Sequence, residues 1–431
     1  MLIEFSVSNF RSIKEKQTLS LVASNKDTSL PNNTIKLEKN NLSGSTLLKG
    51  CAIYGANASG KSNIFKAALF LKTFVLNSAA GLKPVEKIEV DSFKLDREYK
   101  DKPTEFEIHF IHKGVQYQYG LALGNSIVLE EWLFAFPHGS PQRWFHRNHD
   151  NNTNKDSYKF STKYFKGEKE IIKEKTRGNS SFLSMAAQLN NEQLLEVYIW
   201  FKEFLQLIDL SSDEMSPAFT LSLVYNNPRL SSFINDVVSK IDLGIKGIRV
   251  LEKPFSEIKF PENVPLELRE RFLEDFKNET FLIGKFIHDD AEGRSIEFDM
   301  DQESFGTRKF LSLIGPIIDT LFNGYTLFID EIASNMHPLL VRSLVESFSS
   351  EFNRKNAQLI FTTHDTNLLD ISLLRRDQIW FTEKNNEGAT NLYPLTDFQP
   401  RNKEALQKGY LAGRYGAIPF ITIDTGSINN E

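Results

Sequence analysis

The sequence predicts an α/β chain: a mixed sheet flanked by helices, an antiparallel β subdomain, and a mostly helical insertion. Three observations carry this. The apolar run at residues 47–54 (LLKGCAIY) ends in a glycine-rich turn, and a helical pattern follows from 61 to 77. Two further apolar strands, residues 325–329 (YTLFI) and 358–362 (QLIFT), end in polar residues and are separated by a helical run at 338–352. That alternation implies a parallel sheet with helices on its faces. Between residues 104 and 136, Phe106, Ile108 and Phe110 alternate with polar neighbours, as antiparallel strands do.

Taken in order, residues 2–7 alternate like a short strand, residues 8–12 read as a loop, and 17–22 as a second strand. Residues 24–45 are polar and predict a loop. The strand at 47–54, the helix at 61–77 and the antiparallel strands follow, with residues 116–123 among the last. Residues 148–157 are polar and Asn-rich, which predicts a surface loop. Apolar residues recur at helical spacing over 180–210, 229–242 and 265–284. Strands are expected again at 325–329, 358–362 and 379–383. The chain thus reads as residues 1–150, the first part of the α/β unit; 151–295, the helical insertion; and 296–431, its second part. No repeat at solenoid period and no sustained heptad array is present, which excludes a long coiled coil.

Composition narrows the class. The 431 residues are enough for two or three domains at roughly 150 residues each. Hydrophobic residues make up 40% and charged residues 25%, which excludes a mainly disordered chain. The net charge of −5 argues against an all-over basic nucleic-acid binder and leaves a local basic groove open. The Lys-rich stretch 163–175 is balanced by Glu168, Glu170 and Glu174 and reads as a solvated face. The single cysteine, Cys51, excludes an internal disulfide and a Cys-based zinc site. No run of 18 apolar residues occurs, and the N-terminus (MLIEFSV) lacks the basic start of a signal peptide. The expectation is a cytoplasmic protein with no membrane association.

Four motifs carry chemistry. Gly55-Ala56-Asn57-Ala58-Ser59-Gly60-Lys61-Ser62 fits G-x-x-x-x-G-K-[ST] between a strand and a helix. Its glycines let backbone N–H groups and a helix N-terminus face an anion, with Gly55, Asn57, Ser59 and Gly60 in the cradle. Lys61 would reach the β- and γ-phosphates of ATP, and Ser62 would ligate Mg²⁺. Asp330-Glu331 follows the strand at 325–329. Asp330 would hold Mg²⁺, and Glu331 would deprotonate or orient the attacking water. Alone, such a pair reads equally well as an acidic turn; beside a phosphate loop it reads as catalytic. Thr362-Thr363-His364-Asp365 follows the next strand, and His364 there can contact a γ-phosphate or merely cap a helix. Glu303-Ser304-Phe305-Gly306-Thr307-Arg308-Lys309 opens a helix, and on physics alone Ser304 is a plain N-cap.

The order of these motifs resembles that of ABC-type ATPase heads of the SMC, RecF and OLD (overcoming-lysogenization-defect) group: phosphate loop, signature, second acidic motif, switch histidine. The resemblance implies that Ser304 and Gly306 are signature residues that close on the nucleotide of a second copy. Asn9-Phe10-Arg11-Ser12 is similar to the N-terminal motif of SMC and RecF relatives, which implies that Arg11 contacts the nucleotide phosphates. Residues 330–338 (DEIASNMHP) resemble the DE-x-x-x-x-LHP stretch of the OLD family and the related AAA_15 and AAA_21 ATPases. Residues 376–381 (RDQIWF) and 413–419 (GRYGAIP) resemble stand-alone AAA_15 proteins linked to RloA and abortive infection.

The sequence departs from the ABC pattern in three places. The D-loop aspartate is absent, with Asn335 and His337 near its place. The signature reads SFGTRK, and no Q-loop glutamine can be placed, since Gln116 and Gln118 lie on a strand. About 35 residues follow Leu395, too few for the Toprim nuclease of OLD proteins. Asp299-Met300-Asp301 resembles a DxD but sits on an expected strand. The cluster His146-Arg147-Asn148-His149 reads as a surface loop and partner contact.

The resemblance implies an ATPase that uses ATP and Mg²⁺ and works as a homodimer or higher oligomer with ATP between its heads. It would control a separate Toprim-like, HNH or RloB-like effector in anti-phage defence. The rivals are a RecF-like ATPase that clamps DNA in repair, and a nucleotide-gated scaffold with negligible turnover.

Overall fold

A computed structural model describes residues 1–37, 45–211, 216–241, 244–258, 260, 264–400 and 405–419. The chain divides into two compact units. The first is Met1–Ser211 with Leu321–Ala333 and Arg342–Glu431, and the second is Ser212–Thr320 with Ser334–Val341.

In chain order, β1 (Leu2–Ser8), β2 (Gln17–Ser20), β3 (Thr34–Lys36) and β4 (Thr46–Leu48) lead into β5 (Gly50–Gly55) and helix α1 (Lys61–Gly81). Then come β6 (Thr104–His112), β7 (Val115–Leu123), β8 (Val128–Phe136), β9 (Gln142–Asp150) and β10 (Lys155–Phe160). Helices α2 (Lys169–Lys175), α3 (Phe182–Gln188) and α4 (Glu192–Ile199) precede β11 (Leu205–Asp209). The second unit holds α5 (Ala218–Asn226), α6 (Pro228–Lys240), β12 (Gly247–Pro254), α7 (Leu266–Asp275), β13 (Thr280–Asp289), β14 (Ser295–Asp299) and the start of α8 (Phe305–Asn323). β15 (Thr326–Asp330), α9 (Pro338–Ser349), β16 (Gln358–Thr362), β17 (Ile379–Lys384), β18 (Thr390–Pro394) and α10 (Leu406–Leu411) complete the chain.

The first unit is built on two large sheets, with the small β3-β4 pair beside them. The central one runs β11-β15-β16-β5-β17-β18, with only β18 antiparallel to its neighbour. The other runs β10-β9-β8-β7-β6-β1-β2 and is antiparallel throughout. Helix α1 buries Ile64, Phe65, Ala67, Ala68, Leu71, Phe74 and Val75, so it is apolar nearly all round, as a helix covered on several sides must be. Phe65 meets Phe328 of β15 edge-on at 5.3 Å, and Phe70 stacks on Phe106 of β6, also at 5.3 Å. One helix therefore joins the two sheets into one core, each fully buried phenylalanine contributing roughly 1.5–3 kcal/mol. By length and composition α1 alone among the described helices could cross a membrane, yet half of its apolar window is buried within the protein.

Gln358 makes a polar pin between the sheets. Its amide accepts from Leu2 N at 2.6 Å and donates to Leu2 O and Leu48 O, both at 3.0 Å. The residues of the RDQIWF stretch pin the loop before β3. Gln378 donates to Gly50 O at 2.9 Å and accepts from Asn33 at 2.7 Å, while Asp377 accepts from Ser24 N at 2.7 Å. Arg376 pairs with Asp27 at 2.9 Å.

The structure revises several local expectations. The expected surface loop at 148–157 shrinks to an exposed turn at 151–154, and the flanking residues are the ends of β9 and β10, paired from Asp150↔Lys155 to Phe145↔Phe160. The cluster 146–149 is no surface loop: it lies on β9, with Arg147 fully buried and Asn148 exposed. The Arg147 guanidinium bonds Asp156 at 2.7 Å and Ser180 O at 2.7 Å, with Glu131 at 3.8 Å. Residues 151–295, expected to be mostly helical, also contain β10, β11 and the antiparallel sheet β12-β13-β14. The compact division falls after Ser211. The helical spacing at 180–210 ends in β11, because an edge position beside β15, more than a hundred residues away, offers its backbone partners. The spacing at 265–284 yields α7 and then β13. Asp299 serves the second unit structurally, capping the turn after β14 and pairing with Lys285.

Candidate functional site

The site lies at the C-terminal ends of β5, β15 and β16, the edge where open α/β sheets bind ligands. β5 is buried along its whole length and delivers Gly55 into the turn before α1. The turn needs left-handed backbone at Ala58 (φ 63°) and Gly60 (φ 109°). A Cβ at Gly60 would also meet Thr390 Oγ1 at 2.1 Å. Lys61 is buried, and its ammonium turns back to donate to Gly55 O (2.9 Å) and Ala56 O (3.2 Å). Glu331 Oε1 lies 3.7 Å from it. Burial pushes the Lys61 pKa down, opposed by the carboxylates of Glu331 and Asp330. A cation held on a glycine-rich turn with N–H groups free to face an anion is built for phosphate.

Asp330 and Glu331 are placed by one hydroxyl. Thr362 Oγ1 donates to Asp330 Oδ1 at 2.5 Å and accepts from Glu331 N at 2.8 Å. Glu331 itself adopts φ 57°, an uncommon left-handed conformation for a residue with a side chain. Its Oε2 lies 3.0 Å from His364 Nδ1, and the His364 side chain is 63% exposed. The second acid, the third motif and the phosphate loop therefore converge, with Glu331 between Lys61 and His364.

The residues fit a hard divalent cation. Asp330 is fully buried, and its Oδ2 has no hydrogen-bond partner among the described residues. Burial raises its pKa, while the hydroxyls of Thr362 and Ser62 work the other way. An orphaned buried carboxylate oxygen beside a serine hydroxyl is an oxygen-ligand position. Among the described residues no group of three or more His, Cys, Asp or Glu forms a ready cage. Mg²⁺ needs only one or two carboxylates beside substrate phosphates and water, and Asp330 with the Ser62 hydroxyl offers that kind of set.

Several contributors went unnoticed in the sequence. Thr390 Oγ1 donates to Ser59 O at 2.9 Å and lies 2.7 Å from Ser12 Oγ, which also accepts from Asn63 at 2.6 Å. Thr382 Oγ1 lies 2.7 Å from Ser59 Oγ. The β17–β18 pair thus clamps the phosphate loop, and the turn holding Arg11 abuts the first turn of α1. Arg11 (φ 50°) pairs with Asp91 at 3.2 Å. Threonines on strands give no local signal of such a role, since the residue type is ordinary there. Gln116 and Gln118 lie on β7 of the antiparallel sheet.

Ser304 and Gly306 belong to the second unit. Ser304 Oγ accepts from Thr307 N at 3.1 Å, the N-cap arrangement. A Cβ at Gly306 would meet Asn335 O at 3.0 Å, and Lys309 donates to Ser334 Oγ at 3.1 Å. Within that unit the helix start and the Ser334–Asn335 turn are thus one assembly.

On the outer side of the phosphate loop is a cavity of about 640 Å³, lined among others by Asn57, Ala58, His364, Glu383, Tyr410 and Ile418. The GRYGAIP stretch helps to build it: Tyr410 OH donates to Ala417 O at 2.9 Å, and Tyr393 OH to Tyr415 O at 3.0 Å.

A phosphate loop at a strand–helix junction, facing an acidic pair at the end of a neighbouring parallel strand, defines a P-loop ATPase. Residues 51–370 match the family AAA_21, described as "AAA domain, putative AbiEii toxin, Type IV TA system", and the chain belongs to that family. Among solved structures, an SMC head bound to the C-terminal winged-helix domain of ScpA is similar at 14% identity and TM-score 0.46, covering 91% of this chain and 96% of that one. The SMC head domain from Thermotoga maritima matches at 13% and 0.38, covering 91% and 98%. The Smc head with an extended coiled coil, bound to the C-terminal domain of ScpA and derived from Pyrococcus furiosus, matches at 12% and 0.42, covering 92% and 97%. No curated protein matches the chain.

Proposed function

We propose that the chain hydrolyses ATP with Mg²⁺ and uses the nucleotide state to control a separate effector in anti-phage defence. The observation that carries the catalytic reading is the single Glu331 carboxylate lying between Lys61 (3.7 Å) and His364 (3.0 Å). The glycine-rich turn from Gly55 to Gly60, with Asn57 and Ser59, cradles the phosphates. Lys61 leaves its carbonyl contacts for the β- and γ-phosphates. Ser62 and Asp330 Oδ2 hold Mg²⁺, which when bound neutralises charge that develops on the phosphate oxygens. Glu331 orients the attacking water and accepts its proton, while His364 fixes that carboxylate and contacts the γ-phosphate. Arg11 exchanges Asp91 for phosphate.

Ser304 and Gly306 reach the nucleotide of a second copy, so the working form is a homodimer or higher oligomer. The family's description carries toxin and toxin–antitoxin wording, in keeping with a defence setting; the effector in this reading is a separate protein of Toprim-like, HNH or RloB-like kind. The cavity beside Asn57 and His364 gives a nucleotide-sensitive surface for it.

Glu331→Gln is the test. Turnover is expected to fall about 100-fold or more, the range for loss of a general base, with ATP binding kept. Unchanged turnover would remove Glu331 from the base role. Captured from the native host with ATP and Mg²⁺, the variant should carry an effector protein in fixed ratio. Duplex DNA without a protein partner would instead favour a clamp that acts in repair.

A further inference from the structure

Helix α8 begins at the Ser304–Gly306 segment, and its backbone ladder is disturbed further along. Departures from regular i→i−4 bonding cluster between Arg308 and Pro316. Pro316 lies inside the helix and has no N–H to offer the carbonyl of Ser312. Ser312 Oγ donates back to Arg308 O at 2.9 Å, a bond of the kind that bends helices. A further departure comes from another element. Thr220 Oγ1, on α5, donates to Leu311 O at 2.6 Å and accepts from Gly315 N at 3.2 Å. Leu311 O and Gly315 N are the two ends of one i→i−4 step, so a hydroxyl from outside the helix bridges that step.

The approach is close enough to require glycine. A Cβ at Gly315 would meet Thr220 Oγ1 at 2.4 Å and Thr220 Cα at 2.7 Å. Thr220 is fully buried, and a buried hydroxyl costs free energy unless it is bonded. This one is bonded twice, both times to the backbone of α8. Packing alone would be served by valine, which has the same shape without the hydroxyl. Proline and an inserted side chain are the ordinary causes of a bend in a helix, and here both fall at one turn. Thr220, that turn and the Ser304–Gly306 segment all lie in the second unit. One hydroxyl on α5 therefore sets where the first half of α8 leaves the turn.

We propose that Thr220 is a positioning residue for Ser304 and Gly306: it clasps the turn before Pro316 and so fixes the direction in which the start of α8 presents them. The inference rests on the reading in which these two residues reach the nucleotide of a second copy, and it gives a role to a residue that no motif marks. Thr220 acts through α8 and contacts no nucleotide.

The test measures steady-state ATP turnover of the full chain over a range of protein concentrations. Binding of a fluorescent ATP analogue is measured beside it in dilute protein, where the phosphate loop alone is needed. Thr220→Val is expected to lower turnover at saturating ATP about 10- to 100-fold, the range for a small misplacement within a site, and to leave analogue binding unchanged. Thr220→Ser restores the hydroxyl and should recover most of the loss. Thermal melting reports folding; should the Val variant not fold, Thr220→Ala is read in its place. Gly306→Asp tests the underlying reading and should abolish turnover. If Thr220→Val turns over like wild type while Gly306→Asp does not, Thr220 has no positioning role and the reading of Ser304 and Gly306 stands. Equal losses in the Val and Ser variants, or a matching loss of analogue binding, would mean packing alone and overturn the proposal. If Gly306→Asp turns over like wild type at every protein concentration, both readings fall.

Discussion

The hydroxyl of Thr362 donates to Asp330 Oδ1 at 2.5 Å, and the same oxygen accepts the Glu331 N–H at 2.8 Å. A single side chain on β16 thus sets the direction of one acid and the backbone of the next, the latter held at φ 57°.

Thr362→Val keeps the shape and removes both bonds. Turnover should drop about 10- to 100-fold, as when a second-layer partner of a metal ligand is lost. Thr362→Ser should recover most of it. Steady-state kinetics on the two variants decide the matter, since a purely packing role would favour Val over Ser.

Thr390 acts on the phosphate loop from the opposite side. Thr390→Val removes the bond to Ser59 O and the contact with Ser12. Two net hydrogen bonds amount to about 1–3 kcal/mol, so KM for ATP should rise by roughly tenfold. The maximal rate should change little, and Thr390→Ser should behave as wild type. An equal loss in KM and maximal rate for both variants would mean general disorder.

Arg147 is a stability residue. Arg147→Met leaves Glu131 and Asp156 without their cation and strips three carbonyls, of Arg177, Gly178 and Ser180, of a donor. Breaking a buried pair in this way costs about 3–5 kcal/mol. Urea unfolding should show it as a lower midpoint. A shift near zero would return this cluster to the role of an exposed loop.

Lys72 gives a pH signature. Burial lowers its pKa to about 8 in the folded chain, against the ordinary value of about 10.5. Between those values the unfolded chain binds the proton and the folded chain does not, so the Lys72 contribution makes stability rise with pH across that window. Below about 8 the full penalty of a buried charge remains. Lys72→Met should therefore be favoured most near neutral pH, and its advantage should shrink steadily toward pH 10. Unfolding midpoints of both proteins across that range measure it; a constant difference would mean that Lys72 is not titrating.

What could be read locally was read well. The glycine-rich turn from Gly55 to Gly60 has a strand before it and a helix after it, because the apolar runs at 47–54 and 61–77 flank it directly. The alternation of Phe106, Ile108 and Phe110 marks a strand with one buried face, and all three are buried. β11 lies within a helical pattern because its partner, β15, is distant in sequence. β9 and β10 are local partners, and the polar, Asn-rich turn between them masks the strands on either side.

The sequence by itself determined the phosphate loop, the acidic pair and the strand–helix alternation, since each depends on residue types at fixed short spacing. Only the tertiary structure decided that Thr362 aims both acids and that Thr382 and Thr390 hold the loop. The physical reason is that these contacts are set by strand register and by which face α1 covers. A one-residue slip in that register would turn every one of these side chains to the other face of the sheet, and no local pattern of residue types records it.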